Sequence, residues 1–596
     1  MSALIRFEVS APNPHDHLYH VRMTVDAVGD DDHVDLSMPV WSPGSYLVRE
    51  YSRHVQSLRA FGGDGDKRRA RKLDKATWRV DTSNCNSLVV EYEVFAHDIN
   101  VRANHLDDTH GFFTGVALYL CPQGREDEMV ELEVVPPEQY DWEVYTGLER
   151  LDGPSNLFVA PNFDVLYDSP VEMGEYDPIE FEVDGKKHQM IFWGSGNYDR
   201  DALARDLPKV VEANSDIFGG LPYDDYLFIT LLSDGAGGGL EHLNSTALIY
   251  PRHNFTPGDK PGSPADGYLN FLGLVCHEHF HVWNVKRIRP ARLGPFDYQK
   301  ENYTRDLWTV EGVTSYYDTL GLLRAGVIDA DGYLTRLAKR IKQYEQVPGR
   351  KLHSLEDASF DAWIKLYRAD EHTRNSTVSY YLKGELVCAL LDLHIRRETD
   401  GRHCLDDVLR HLWEHYYQAD GSGYPEGSYE QLVTEVTGGV DVGEFFDKYI
   451  RGTDDFEWDE SLAPFGLELE RTASSEDDSW LGVTTETRNG QVHVTYVPTG
   501  SPAHQTGIYA GDEISAVDGW KVTGDNFSKL IEGKSPGETV EVHLFRRGEL
   551  RHYDVELGSK APDTYRIRSR EDASDEALEL LRGWLGTDTV DAEYSG

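Results

Sequence analysis

From residue 1 to about 185 the apolar positions alternate with polar ones in short runs, each bounded by turn residues. Val21-Arg22-Met23-Thr24-Val25 and Ser87-Leu88-Val89-Val90-Glu91-Tyr92-Glu93-Val94 are examples. A period of two places one face of a strand in a core, so residues 1–185 are expected to form an N-terminal β-rich domain. Its oddest segment is Pro39-Val40-Trp41-Ser42-Pro43-Gly44-Ser45-Tyr46, a Pro/Gly turn holding two aromatics. From about 196 to 460 the period is helical. The segment 269–285 is apolar nearly all round, as a buried helix must be. Ser263 reads as its cap, Pro264 as a first-turn residue and Asp266 as the far member of a capping box, and Pro290 bars continuation beyond it. The small, polar stretch Thr472-Ala473-Ser474-Ser475-Glu476-Asp477-Asp478 reads as a linker. Strands return at Gln491 to Val497, Glu513 to Val517 and Thr539 to Phe545. A last helix follows, capped by Ser574, with Leu578, Leu581 and Leu585 spaced to pack one face. The expected units are 1–185 (β-rich), 186–470 (mainly helical), 479–558 (small, α+β) and 559–596 (a tail with a short helix).

Length agrees with that division: 596 residues suggest three or four domains at roughly 150 residues each. Hydrophobic residues make up 39% of the chain, enough for real cores despite the charge. That charge is extreme, with 58 Lys+Arg against 104 Asp+Glu and a net −46. Such a surface repels phosphate backbones and anionic lipid, so neither nucleic acid nor a membrane surface is an expected partner. No run of about 18 apolar residues provides a membrane span. The acidity is spread along the whole chain, which fits a halophilic protein working where about 1 M salt shortens the Debye length to about 3 Å. Cys85, Cys121, Cys276, Cys388 and Cys404 are odd in number, scattered and without a C-x-x-C pair, so no disulfide framework is expected. The strand-like start Met1-Ser2-Ala3-Leu4-Ile5-Arg6-Phe7-Glu8 contains no long apolar leader, and the expected location is cytoplasmic.

The chemistry concentrates in Cys276-His277-Glu278-His279-Phe280-His281, an H-E-x-x-H pattern. Residues four apart on a helix lie about 40° apart around the axis, so His277 and His281 project from one face on successive turns. Two imidazoles so placed can share a Zn²⁺, with Glu278 beside it as general base. A catalytic zinc takes three protein ligands and keeps one position open. Downstream, Leu307, Val310, Glu311, Thr314 and Gly321 fall on one helical stripe, which places Glu311 on a core-facing side where a carboxylate needs a partner. One zinc per chain on His277, His281 and Glu311 is the expectation. His279 points off the ligand face and reads as a packing residue or as a support behind the ligands. Lys286, Arg287, Arg289 and Arg292 crowd an interval without acidic residues between Glu278 and Asp297. They read as a buried basic layer pairing carboxylates behind the site, with a subsite for a peptide carboxylate as the alternative.

With His277, Glu278, His281 and Glu311 in this order, the chain resembles the gluzincin metallopeptidases. Trp283-Asn284-Val285-Lys286-Arg287-Ile288-Arg289-Pro290, Trp308-Thr309-Val310-Glu311-Gly312 and the Pro39-to-Tyr46 turn narrow the resemblance to the glycyl aminopeptidase family. That resemblance implies an N-terminal β domain, a thermolysin-like catalytic domain and a PDZ module. It implies that Gly238, Gly239 and Glu241 of Gly238-Gly239-Leu240-Glu241-His242 form a substrate-anchoring loop, with Glu241 on the α-ammonium. Tyr380-Tyr381-Leu382-Lys383-Gly384 looks like a Tyr-x-Lys-Gly element. By that spacing Tyr381 is the oxyanion donor, with Tyr380 as the alternative. Trp480-Leu481-Gly482-Val483, Thr499-Gly500-Ser501-Pro502-Ala503 and Ala510-Gly511-Asp512-Glu513-Ile514 resemble a PDZ domain, whose loop Leu481, Gly482, Val483 would receive peptide C-termini. The implied activity is zinc-dependent removal of small N-terminal residues (Gly or Ala) from peptides with a free amine. The alternatives are a PDZ-directed endopeptidase and, from another class, a non-catalytic peptide-binding scaffold.

Overall fold

The computed structural model describes residues 4–28, 32–153, 156–257, 266–473 and 478–595. Strict alternation builds the N-terminal domain. Ile5–Ser10 pairs antiparallel with Leu18–Asp26 and parallel with Val130–Val135 in an eight-stranded sheet. Ile5, Phe7, Val9, Val21, Met23, Val25, Leu88, Val90 and Val94 share one core on its inner face. Two four-stranded sheets complete the domain. The Pro/Gly turn leaves it: Val40, Trp41 and Tyr46 are buried in the core of the neighbouring domain.

That second domain opens with a five-stranded sheet, ordered Ile179–Val183, Lys186–Trp193, Asp225–Leu232, Ser245–Tyr250 and Gly238–Glu241. The segment Gly238–Glu241, expected as a substrate-anchoring loop, is therefore an edge strand, antiparallel to Ser245–Tyr250. Helices Gly267–Phe280, Val313–Arg324 and Tyr380–Glu398 follow. The first begins later than expected, because Asp266 is itself the cap, its side chain accepting from the Leu269 amide. Ser263 and Pro264 lie outside the described residues, as do residues 474–477 of the expected linker and Met1 to Ala3. The helix also ends at Phe280, short of the expected 285. Beyond it the chain closes on itself, with the Lys286 amide bonded to the His281 carbonyl and that of Ile288 to Trp283. Asn284 donates from its side chain to the carbonyls of Thr309 and Val310 and holds the break open.

The expected basic layer does not form. Lys286 pairs with Asp168 at 2.7 Å, but buried Arg287 donates to the carbonyls of Leu243, Val282 and Pro222. Arg289 lies over the Phe296 ring, and Arg292 faces Glu426 from an exposed position. Carbonyls left over where helices and strands end take the Arg287 guanidinium in place of a carboxylate.

Residues 479–557 form a separate small core of Leu481, Val492, Val494, Ile514, Val540, Val542 and Leu544. Its sheet carries Thr484–Arg488 at one edge. Asn375 joins it to the second domain, donating to the Val497 carbonyl at 2.9 Å and accepting from Tyr496 Oη at 3.0 Å. Leu481 is buried and its carbonyl accepts from Ala503, while Ser501 Oγ donates to the Gly482 carbonyl, so the expected carboxylate loop rests on Ser501–Ala503. The segment expected as a tail is structural: Thr564–Ser569 pairs with Leu467–Thr472 and Asp591–Ser595 in a three-stranded sheet. The helix Asp575–Leu585, capped by Ser574, sends Leu581, Trp584 and Leu585 into the second domain's core. All five cysteines are free, and no helix among the described residues is long and apolar enough to cross a membrane.

Candidate active site

The H-E-x-x-H residues occupy the last turn of Gly267–Phe280, with His281 at its C-cap still in right-handed helical geometry. The i,i+4 spacing thus survives the early helix end, and the two imidazole centroids lie 4.8 Å apart. Glu311 arrives on the facing element, which is a π turn, Trp308–Gly312, continuous with Val313–Arg324. The expected α-helix is locally widened, a distortion common at functional sites. Close packing accounts for the approach of the third element: a Cβ on Gly312 would meet Gly384 Cα at 2.6 Å. Only two glycines let the π turn and the helix Tyr380–Glu398 cross that closely, and the crossing brings Tyr380 and Tyr381 to the site.

His277, His281 and Glu311 offer ligand atoms that all lie within 4.8 Å of one another. Glu311 Oε2 stands 3.4 Å from His277 Nε2 and 3.3 Å from His281 Nε2. It is buried and makes no hydrogen bond, and neither does buried Glu278 Oε2. Two orphaned carboxylate oxygens among inward-facing imidazole nitrogens are a donor set that fits a divalent cation. The outward nitrogens are held: His281 Nδ1 donates to the Asn284 carbonyl at 2.6 Å, and His277 Nδ1 faces Asp318 at 3.4 Å. Such partners fix the tautomer that leaves Nε2 free for a metal. Burial pushes the Glu278 carboxyl up to about 7 against the pull of both histidines. Burial acts on Glu311 too, but His281 and His277 overcome it and bring its carboxyl down to about 2.

Gly239 lies against Glu278, since a Cβ there would stand 2.3 Å from its Oε1. Glu241, 4% exposed, brings an oxygen within 4.8 Å of both Glu278 and His281. Gly238 adopts φ +125°, open to glycine alone without strain. Tyr381 Oη lies 3.2 Å from Tyr367 Oη, and its ring stacks toward His277 at 6.4 Å. Tyr380 is fully buried with an unpaired hydroxyl. His279 points away as expected: it accepts from Asn214 and donates to Tyr223 at 2.7 Å. The Leu481–Val483 loop belongs to the separate small core and lies apart from this cluster. Asp318, Asn284, Tyr367 and Gly44 were not singled out in the sequence as site residues. Asp318 had a signal, since it follows Glu311 by two helical turns on the same face.

A β-rich domain, a sheet-and-helix domain carrying this cluster and a small β-rich module are the layout of a multidomain peptidase. Residues 6–175 match the peptidase M61 N-terminal domain, 270–387 the M61 glycyl aminopeptidase model and 479–557 a PDZ domain. An aminopeptidase N family protein from Idiomarina loihiensis is 31% identical, with 98% of this chain and 100% of that one covered at a TM-score of 0.91. The chain belongs to the M61 glycyl aminopeptidase family and is a hydrolase of the aminopeptidase class. Looser likenesses are an M1 zinc metallopeptidase from Deinococcus radiodurans (14% identity, 72% and 90% covered, TM-score 0.43) and yeast LTA4 hydrolase in complex with bestatin (13%, 77% and 67%, 0.43). Among curated proteins none matches this chain. Family membership removes the non-catalytic scaffold from consideration.

Proposed function

We propose a zinc aminopeptidase in which His277, His281 and Glu311 hold one metal ion per chain and Glu241 selects a free N-terminus. The observation that carries this reading is the short span from Glu241 to Glu278 and His281, whose polar atoms all lie within 4.8 Å of one another. Successive Cα atoms are about 3.8 Å apart. An ammonium held at Glu241 therefore leaves one residue, and no more, before the bond presented to Glu278. When bound, zinc supplies a Lewis acid for the scissile carbonyl and lowers the pKa of a water. Glu278 takes the proton of that water and hands it to the departing amine nitrogen. Tyr381 donates its hydroxyl hydrogen to the carbonyl oxygen as charge develops there. Gly238 and Gly239 form the edge along which an extended peptide can lie. The family resemblance extends the reading to a preference for small first residues, glycine and alanine. Peptide C-termini at the Leu481, Gly482, Val483 loop, a cytoplasmic location and work in concentrated salt complete the reading.

Glu241→Gln keeps the shape and removes the charge. The expected loss is roughly 1.5–3 kcal/mol of transition-state binding, or about 10- to 150-fold in kcat/KM. Acetylating the substrate amine should hurt the wild type strongly and the variant far less, since the variant has already lost that contact. Equal cleavage of acetylated and free peptides by the wild type would sink the aminopeptidase reading in favour of the PDZ-directed endopeptidase.

A further inference from the structure

The Pro39-to-Tyr46 turn belongs in sequence to the N-terminal domain, yet it ends against the carboxylate of Glu241. Gly44 sits at φ +79°, and a Cβ built on it would lie 2.4 Å and 2.5 Å from the two oxygens of Glu241. The bare α-carbon is thus packed directly on the carboxylate. The turn is well held from behind: Trp41, fully buried, donates its indole N–H to the Asp297 carbonyl at 2.9 Å and packs on Trp363 at 5.1 Å between centroids. Tyr46 packs on the same Trp363 at 5.6 Å. The Val40 amide donates to the Tyr298 carbonyl at 2.9 Å. Tyr367 makes a long contact of 3.4 Å with the Gly44 carbonyl, and its hydroxyl is also the neighbour of Tyr381.

We propose that Gly44 is a positioning residue for Glu241, so that the N-terminal domain completes the amine-binding subsite of the second domain. This rests on the reading of Glu241 as the amine anchor. A carboxylate that binds an ammonium needs both a fixed rotamer and oxygens free of competing partners. A rigid turn ending in glycine supplies the first without a side chain that would interfere with the second. Any larger residue at position 44 would drive the carboxylate aside. A small cavity lined by Gly44, Glu241, Lys286 and Tyr298 gives the displaced group somewhere to go, so the fold can survive the change.

The test is Gly44→Ala, assayed on a glycyl amide with a free amine beside the wild type, Glu241→Gln and the double variant, with zinc content measured for each. The expected result is a KM raised roughly 10-fold or more with kcat within a few-fold, because an ammonium contact is made in ground and transition states alike. Zinc should be retained, and the double variant should be no worse than Glu241→Gln alone. A merely structural role would lower the folded fraction, and with it apparent kcat, at unchanged KM. Unchanged KM in Gly44→Ala, or a loss that adds to that of Glu241→Gln, overturns the proposal. If Gly44→Ala does not fold, Gly44→Asn brings the same Cβ with less strain at positive φ. If that fails as well, Gly44→Ala/Glu241→Ala decides: recovered folding supports the contact, and continued failure overturns it. A wild type indifferent to amine acetylation would instead refute the amine-anchor reading. A wild type that demands the free amine while Gly44→Ala keeps its KM refutes the role of Gly44 alone.

Discussion

Two buried clusters of histidine and carboxylate stand in this molecule, built from the same residue types with opposite consequences. In the first, Glu311 Oε2 lies 3.3–3.4 Å from two imidazole nitrogens without hydrogen bonding to either. In the second, in the N-terminal domain, His105 Nδ1 and His110 Nε2 are 2.8 Å apart, and His110 Nδ1 is 2.8 Å from Glu172 Oε1. Tyr176 donates to that same oxygen. Ligands at about 2.0–2.1 Å around a tetrahedral zinc lie roughly 3.3 Å from one another, so the first cluster has metal spacing and the second does not. The second is a relay of hydrogen bonds ending on Glu172 Oε1. Glu172 Oε2 is buried without a partner, as Glu311 Oε2 is, so it is the spacing that separates the two. His110 donates from Nδ1 to Glu172, which leaves its Nε2 to accept from His105. Burial and the neighbouring His110 hold His105 down to about 4, neutral and suited to that role. His105, Asp107 and His110 also bring ligand atoms within 4.8 Å of one another. Spacing, rather than composition, distinguishes a metal site from a structural network.

The largest effect should come from removing a ligand in the first cluster. His281→Ala is expected to lose both bound zinc and peptide hydrolysis, and metal analysis of the purified variant checks it. A variant that kept stoichiometric zinc would break the assignment of His277, His281 and Glu311. Glu278→Gln comes next, with zinc retained and turnover down roughly 10²–10⁴-fold, the usual contribution of a general base. Loss of zinc together with activity would move Glu278 into the ligand set.

His110→Ala should act on the other quantity. It strips buried Glu172 of its neutral imidazole partner; a hydrogen bond to a charged group is worth about 1.5–3 kcal/mol, and the cavity left by the ring adds to that loss. Thermal or urea unfolding should show that loss with zinc content unchanged. A drop of one zinc per chain in this variant would show that the relay is a second metal site and erase the contrast.

How much of this was legible depended on sequence distance. His277, Glu278 and His281 lie within one helical turn, so spacing alone places them on a face. Glu311 was legible as a carboxylate on an apolar stripe, although the π turn that presents it was not. Glu241 and Tyr381 entered through family resemblance, which carries residues that no local pattern marks. The sequence named the turn containing Gly44 as odd but could not show that it ends on Glu241, a contact made only by tertiary packing. The same limit hid the pairing of Thr564–Ser569 with Leu467–Thr472, since the whole small module lies between these strands. His105 and His110 carry no pattern of their own. They meet because an Asp107 turn, whose side chain accepts from the Thr109 amide, folds the chain back between them.

Each cluster also has a tyrosine, and comparing the two gives the smallest and most discriminating effects. Tyr381→Phe should lose roughly 10²–10³-fold in kcat, the cost of one donor to a developing oxyanion, with little change in stability. Tyr380→Phe serves as its control, because the Tyr380 hydroxyl is buried and unpaired. A larger loss there would transfer the role to Tyr380. Tyr176→Phe removes a hydroxyl that donates to the buried Glu172 carboxylate. Hydrogen bonds to charged groups are worth about 1.5–3 kcal/mol, and Glu172 keeps His110 as its other partner, so the cost should fall in that range and below that of His110→Ala. It should appear in unfolding and leave kcat alone. The two phenylalanine variants therefore separate along different axes, one in rate and one in stability. If Tyr176→Phe slows hydrolysis at unchanged stability, the relay is coupled to the reaction, and the division between a chemical cluster and an architectural one fails.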